Sequence, residues 1–355
     1  MLERAWPLPS LQHIKRLTDD CGIIQHAKFW LPDYANGYCV DDNSRALIAA
    51  HLFHDLFGEK SARDLLVRYL AFIYYVQKRD GKVCNFINYS RAYLEDEGSP
   101  DSLARTIWAL GTISTRTEVY LAIPAQEMFK RAIVHLTPTS PPHALAYGLL
   151  GLCAYGPHDL LASTTREYAA TLADALLNHY RLTRAEGWEW FSPALTYGNA
   201  RMPEALLRAG ILLDRDDLRD AGITTLNFLN SICFRDDYLS VVGCHGWYPL
   251  GGQCALFDQQ PIDAGGMVEA NLVAYRYMRQ DRYFENAVRA MDWFYGKNIL
   301  GVSLYDEWSG GCHDGLHTQG VNENQGAEST VTHLMAQLRL YQEAPQLFKG
   351  NPSGN

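Results

Sequence analysis

The sequence predicts an all-α, single-domain (α/α)6 toroid, a closed ring of buried helices wrapped by a second ring of helices. Three observations predict it. Six segments pass from a polar loop into a helix that is apolar or small on nearly every face, the pattern of a helix buried on all sides. Five helices between them are apolar on one face only. Successive starts of the buried class fall roughly 40 to 65 residues apart, a period that suits helix-pair units.

The buried helices are predicted to begin near Asp41, Asp101, Pro141, Asn199, Pro261 and Gln325. The half-polar class is clearest over 61–79, where Leu65, Leu66, Tyr69, Leu70, Ile73 and Val76 share a face and Arg63, Asp64, Arg68 and Lys78 lie elsewhere. Similar helices are predicted near 125–136, 165–180, 217–231 and 281–295, the first with Pro124 in its opening turn. The segment 10–18 supplies a sixth outer helix and closes the ring. An open α-solenoid is the alternative, disfavoured because the inner helices lack the polar faces an open array exposes. No linker divides the chain, so residues 1–345 read as one domain and 346–355 as a flexible tail.

Composition narrows the function. With 47% hydrophobic and 20% charged residues, the 355-residue chain has globular composition and can bury a large core. A net charge of −9 argues against a nucleic-acid partner, which needs clustered Lys and Arg. No uncharged apolar run approaches a membrane span, and Met1-Leu2-Glu3-Arg4-Ala5-Trp6-Pro7 has no signal-peptide pattern. The eight cysteines form no C-x-x-C pair, and several lie in apolar runs. They read as reduced thiols, with the cytoplasm as the expected compartment.

In a toroid the loops into the inner helices open on one end, so the helix N-termini converge on a funnel. Their dipoles favour anions there. The sequence puts Asp41, Asp42, Arg45, Asp101, Arg105, Asn199, Arg201, Glu204, Asp263, Gln325 and Glu328 at those positions. Taken singly, Asp41, Asp101 and Asn199 are ordinary N-caps, the arginines partners of nearby acids, and Glu204 and Glu328 packing residues. Together they exceed what capping requires at five of the six starts. Pro141-Pro142-His143 is poor in acids. Long loops add Trp188, Trp190, Tyr197, His245, Trp247, Gln260, His313, Asp314 and Asn324. Flat rings beside carboxylates and amides suit a sugar, which needs stacking for its C–H face and paired hydrogen bonds for its hydroxyls. Trp108 and Trp293 read as core.

These features resemble the six-hairpin glycosidase superfamily, which includes unsaturated glucuronyl and rhamnogalacturonyl hydrolases. The strings Gly37-Tyr38-Cys39-Val40-Asp41-Asp42-Asn43-Ser44-Arg45-Ala46-Leu47 and Asn322-Glu323-Asn324-Gln325-Gly326-Ala327-Glu328-Ser329-Thr330 are similar to a bacterial domain found beside, or fused to, sugar-nucleotide glycosyltransferases. The resemblance implies the fold, a carbohydrate substrate and a possible glycosyltransferase partner. It assigns no catalytic residue.

Glycoside hydrolysis needs one protonated and one ionised carboxyl group. Asp42 and Asp263 form the first expected pair, placed across the funnel, with Asp41, Asp101, Glu204 and Glu328 in reserve. A gap of that kind favours inversion. A sugar epimerase or isomerase on the same fold would instead use His245 and His313. A polysaccharide lyase would use Arg45, Arg105 and Arg201 against uronate carboxylates. A non-catalytic glycan-binding module is the remaining alternative. His313 and His317 flank Asp314 without a zinc-binding pattern, and neither Gly251-Gly252 nor Gly265-Gly266 has the context of a phosphate loop. No metal or cofactor is expected.

Overall fold

The computed structural model describes residues 5–156 and 163–349. Among these, helix dominates: α1 (Gln12–Leu17), α2 (Val40–Phe57), α3 (Lys60–Val76), α4 (Pro100–Ile113), α5 (Val119–Ile133), α6 (Pro142–Tyr155), α7 (Ser163–Thr183), α8 (Arg201–Leu213), α9 (Asp216–Cys233), α10 (Pro261–Met278), α11 (Asp281–Asp292) and α12 (Ala327–Glu343). The β-structure consists of five two-stranded antiparallel sheets in the loops. The six expected inner helices are present, each beginning within two residues of its predicted start.

Local chemistry sets the helix ends. Ser99 caps α4 through the Ser102 amide and Pro100 takes its first turn, where a missing N–H costs nothing. Gly58 ends α2 in the left-handed conformation, with φ of 66°. One outer helix differs from expectation. α5 starts at Val119, so Pro124 lies inside it rather than at its start. The missing amide falls on a helix otherwise anchored by buried Leu121, Ala125, Met128 and Phe129, and packing outweighs the lost backbone bond.

Even-numbered helices form the inner ring in the order α2, α4, α6, α8, α10, α12, and α12 packs back on α2 to close it. Their surfaces explain why: Pro261 through Ala274 of α10 are all buried. Small residues bring the backbones together. A Cβ added at Gly111 of α4 would meet the Gly151 carbonyl oxygen of α6 at 2.2 Å, and one at Gly265 of α10 would meet Thr332 Cγ2 of α12 at 2.4 Å. Helices α3, α5, α7, α9 and α11 line the outside, and short α1 takes the sixth outer place against α12. The termini seal that seam. Trp6 N–H donates to the Leu347 carbonyl at 3.2 Å and Lys349 N–H to the Trp6 carbonyl at 2.7 Å. Of the segment 346–355, Phe348 is buried against Trp6 and Tyr341, and 350–355 lie outside the described residues. All eight cysteines are free thiols. No described helix is long and apolar enough to cross a membrane.

Candidate active site

Four carboxylates meet at the entrances of α2 and α12. Asp41, Asp42, Asp314 and Glu328 line one pocket of about 340 Å³ together with Arg45, Gln25, His26, Cys39, Phe86 and Gln260. The first turn of α2 supplies Asp41 and Asp42, and the first turn of α12 supplies Glu328. The chain before α2 contributes a wall because the strand Tyr38–Cys39 pairs with Phe86–Ile87, Cys39 opposite Phe86.

Arg45 organises this pocket. Its Nη2 donates to Asp42 Oδ1 at 2.7 Å and to Glu328 Oε2 at 2.8 Å. Asp42 Oδ2 accepts from the Cys39 thiol at 3.0 Å. Asp42 is buried while the Glu328 side chain is 46% exposed, so the two acids sit in different environments on one cation. Burial raises the Asp42 carboxyl above its ordinary range even though Arg45 pulls it down. Burial also raises Asp314, whose Oδ1 accepts from Ser329 Oγ and from the Gly326 amide at 2.8 Å. Asp41 Oδ2 accepts from Arg105 at 3.0 Å, and its Oδ1 is buried without a partner among the described residues.

Asp263 lies outside the pocket lining. Its Oδ1 accepts from the amide and the side-chain Nδ2 of Asn199, each at 3.3 Å, and its buried Oδ2 has no partner among the described residues. Burial pushes it up to about 7, against those hydrogen bonds and with the help of Glu328. The expected opposition of Asp42 and Asp263 does not hold. Helices α2 and α10 both neighbour α12 in the ring, and α8 is the helix facing α2.

The α4–α6–α8 side of the funnel is filled by its own side chains. Arg105 lies 4.7 Å over the Tyr147 ring, Arg201 4.9 Å over Trp108, and the two rings are 5.7 Å apart. Tyr197 stacks on His143 at 4.6 Å and donates its hydroxyl to Asp101. Glu204 and Arg201 therefore do not share a cavity with Asp42, contrary to expectation. Arg201 bonds Glu204 at 2.8 Å and also Glu269, and Arg208 bonds the second Glu204 oxygen at 2.8 Å. Burial alone would raise Glu204, but Arg208 and Arg201 together hold it below its ordinary range. This is an internal ion network.

Several loop residues also fall elsewhere than expected. Trp188 and Trp190 are buried against Phe228, and Trp188 Nε1 donates to the Ser192 carbonyl at 3.0 Å. They are core, not stacking platforms. His245 is exposed and Trp247 half-buried, and neither lines the pocket; nor does His313, whose Nδ1 is buried without a partner among the described residues. Gln325 is buried between Ser309 and Asp306, and Asn324 Oδ1 accepts from the Phe29 amide at 2.9 Å, so both support loops. Conversely, His26, Cys39 and Phe86 line the pocket without having stood out in the sequence. They come from loops and short strands with no periodic signal, although Cys39 lies two residues before the Asp41-Asp42 pair. Among the described residues no three His, Cys, Asp or Glu side chains are grouped to hold a metal ion.

No protein-family profile matches the chain, and no curated protein sequence matches it significantly. Solved structures do. A cellobiose 2-epimerase from Bacillus thermoamylovorans superposes with a TM-score of 0.73 at 12% identity, covering 93% of this chain and 95% of that one. The fold is an (α/α)6 toroid. A D-mannose isomerase matches with a TM-score of 0.71 at 10% identity over 94% of this chain and 96% of its own. A GH76 α-mannanase from Bacteroides thetaiotaomicron gives 0.65 at 11% identity over 93% and 92%. At these identities the likeness is one of fold.

Proposed function

We propose that the toroid is a carbohydrate-active enzyme, a glycoside hydrolase acting on a neutral oligo- or polysaccharide. The observation that carries this reading is the open pocket with Asp42 and Glu328 on one arginine, one acid buried and raised, the other half-exposed. Asp42 then donates its proton to the glycosidic oxygen, and Glu328, oriented by Arg45, attacks the anomeric carbon. The two oxygens on Arg45 Nη2 cannot stand farther apart than those two contacts laid end to end. That favours the roughly 5–5.5 Å spacing of a retaining pair over the roughly 6.5–9.5 Å of an inverting one. Retention therefore replaces the inversion expected from a pair across the funnel.

The pocket also bears on the other readings. Arg45, Arg105 and Arg201 are each ion-paired with protein carboxylates, so their charge is already compensated, which disfavours the neutralisation of a uronate that a lyase would need. Four acids around one cavity disfavour anionic sugars in general. The epimerase or isomerase reading has two of the solved neighbours in its favour, the cellobiose 2-epimerase and the D-mannose isomerase, and His26 is the imidazole in the pocket that such chemistry would use. The test is kinetic. Asp42→Asn and Glu328→Gln should each lower kcat on neutral oligosaccharides by roughly 100- to 10,000-fold, the range for an essential acid or base, with the circular dichroism spectrum unchanged. His26→Ala should act mainly on KM. Near-parent turnover in both carboxylate variants, with collapse in His26→Ala, would replace hydrolysis by the epimerase reading.

A further inference from the structure

A second cavity lies away from the carboxylate pocket. A groove of about 750 Å³ runs along the flank of the toroid between outer helices α9 and α11. Its volume is within the roughly 300–1,000 Å³ of small-molecule sites. Three arginines line it, Arg235, Arg282 and Arg289, against one acid, Asp236. Asp281 and Glu285 belong to α11 but do not line it. In a chain of net charge −9 this is a local reversal of sign.

The arginines differ from most others in the molecule. Arg45, Arg105, Arg116, Arg201 and Arg215 each meet a carboxylate, whereas none of the three in the groove is ion-paired among the described residues. Two of them are nevertheless held in place. Arg289 Nη2 donates to the carbonyl of Arg235 and to that of Asp236 at 3.1 Å, and its guanidinium lies 4.7 Å over Phe234. Arg282 donates to the Tyr283 hydroxyl at 2.9 Å and lies 4.7 Å over that ring. Among the described residues no acceptor meets their remaining N–H groups or the Arg235 guanidinium. Fixed guanidinium groups without a carboxylate are suited to several oxygens of one multiply charged anion. Asn227 and Asn286 line the same groove with amides, which are donors and acceptors for hydroxyl groups.

We infer that this groove is a second ligand site, for a phosphate-bearing small molecule with hydroxyl groups, such as a sugar phosphate. It does not rest on the glycosidase reading, because none of its residues lines the carboxylate pocket. It is linked to the inner ring. Asn230, which lines the groove, exchanges amide hydrogen bonds of 3.0 and 3.1 Å with Asn271 of α10.

Isothermal titration of the full chain with pyrophosphate and with glucose 6-phosphate, at constant ionic strength, tests the site. Glucose serves as the uncharged control. Saturable binding of both phosphates and none of glucose is expected. Arg235→Gln and Arg282→Gln replace exposed side chains and should keep the parent melting temperature. Each should weaken binding by about tenfold or more, as loss of a charge-assisted hydrogen bond implies. No saturable phosphate binding by the parent would overturn the inference. So would binding that both variants retain in full, since that places the anion elsewhere.

Discussion

Asp263 gives the sharpest quantitative expectation, because burial rather than catalysis sets its behaviour. Its carboxyl is fully enclosed, has one oxygen without a partner, and is pushed up to about 7 from an ordinary Asp value of 3.8. The folded value is raised, so the folded state keeps its proton over a range in which the unfolded chain has released it. Stability is then complete below about pH 4 and is lost as pH rises to about 7. The gap of roughly three pH units corresponds to about 4 kcal/mol, at roughly 1.4 kcal/mol per unit. Asp263→Asn removes the titration while keeping the shape. Unfolding by urea at pH 4.5 and at pH 8 should show the variant gaining stability relative to the parent by up to about 4 kcal/mol between the two conditions. Comparing the change across pH cancels any constant effect of the substitution, such as an altered bond to Asn199. Parallel stability profiles for parent and variant would mean that Asp263 is ionised in the fold at both values and that burial does not hold its proton.

Other expectations separate core from pocket. Trp188→Phe should lower the melting temperature and leave KM unchanged, whereas Phe86→Ala, at the pocket wall, should raise KM several-fold with little change in stability; kinetics beside thermal melts checks both. Gly111→Ala forces a methyl group against the Gly151 carbonyl and should destabilise the fold by about 1–3 kcal/mol or more in denaturant titrations, the scale of overpacking. Stability equal to the parent's would mean that α4 and α6 are not in the close contact described.

Much of the scaffold was legible in the sequence because burial on every face leaves a strong mark. The runs after Asp41, Asp101 and Pro261 have no polar side to offer solvent, and all three are inner helices. The outer helix near Pro124 begins at Val119, more than a turn before the start that the proline's local preference suggests, because packing overrides that preference. The site was legible only in part. That acids gather at helix entrances follows from position along the chain. Which half of the funnel stays open does not, because it depends on Tyr147, Trp108, Tyr197 and the two arginines packing into the other half. Glu204 shows the same limit. Its neutralisers Arg201 and Arg208 were close in sequence, but Glu269, which shares Arg201, lies on another helix. Trp188 and Trp190 sit in a long loop that folds inward, and loop position alone carried no sign of their burial.

Proton NMR followed in time on a panel of neutral oligosaccharides shows whether the carboxylate pocket breaks a glycosidic bond. Cellobiose and manno-oligosaccharides are suitable first members. Cleavage by Asp42 and Glu328 gives anomeric signals of a released sugar that form first in the configuration of the parent bond and are absent with Asp42→Asn. New signals of a C2 epimer or ketose with the glycosidic bond intact would contradict it.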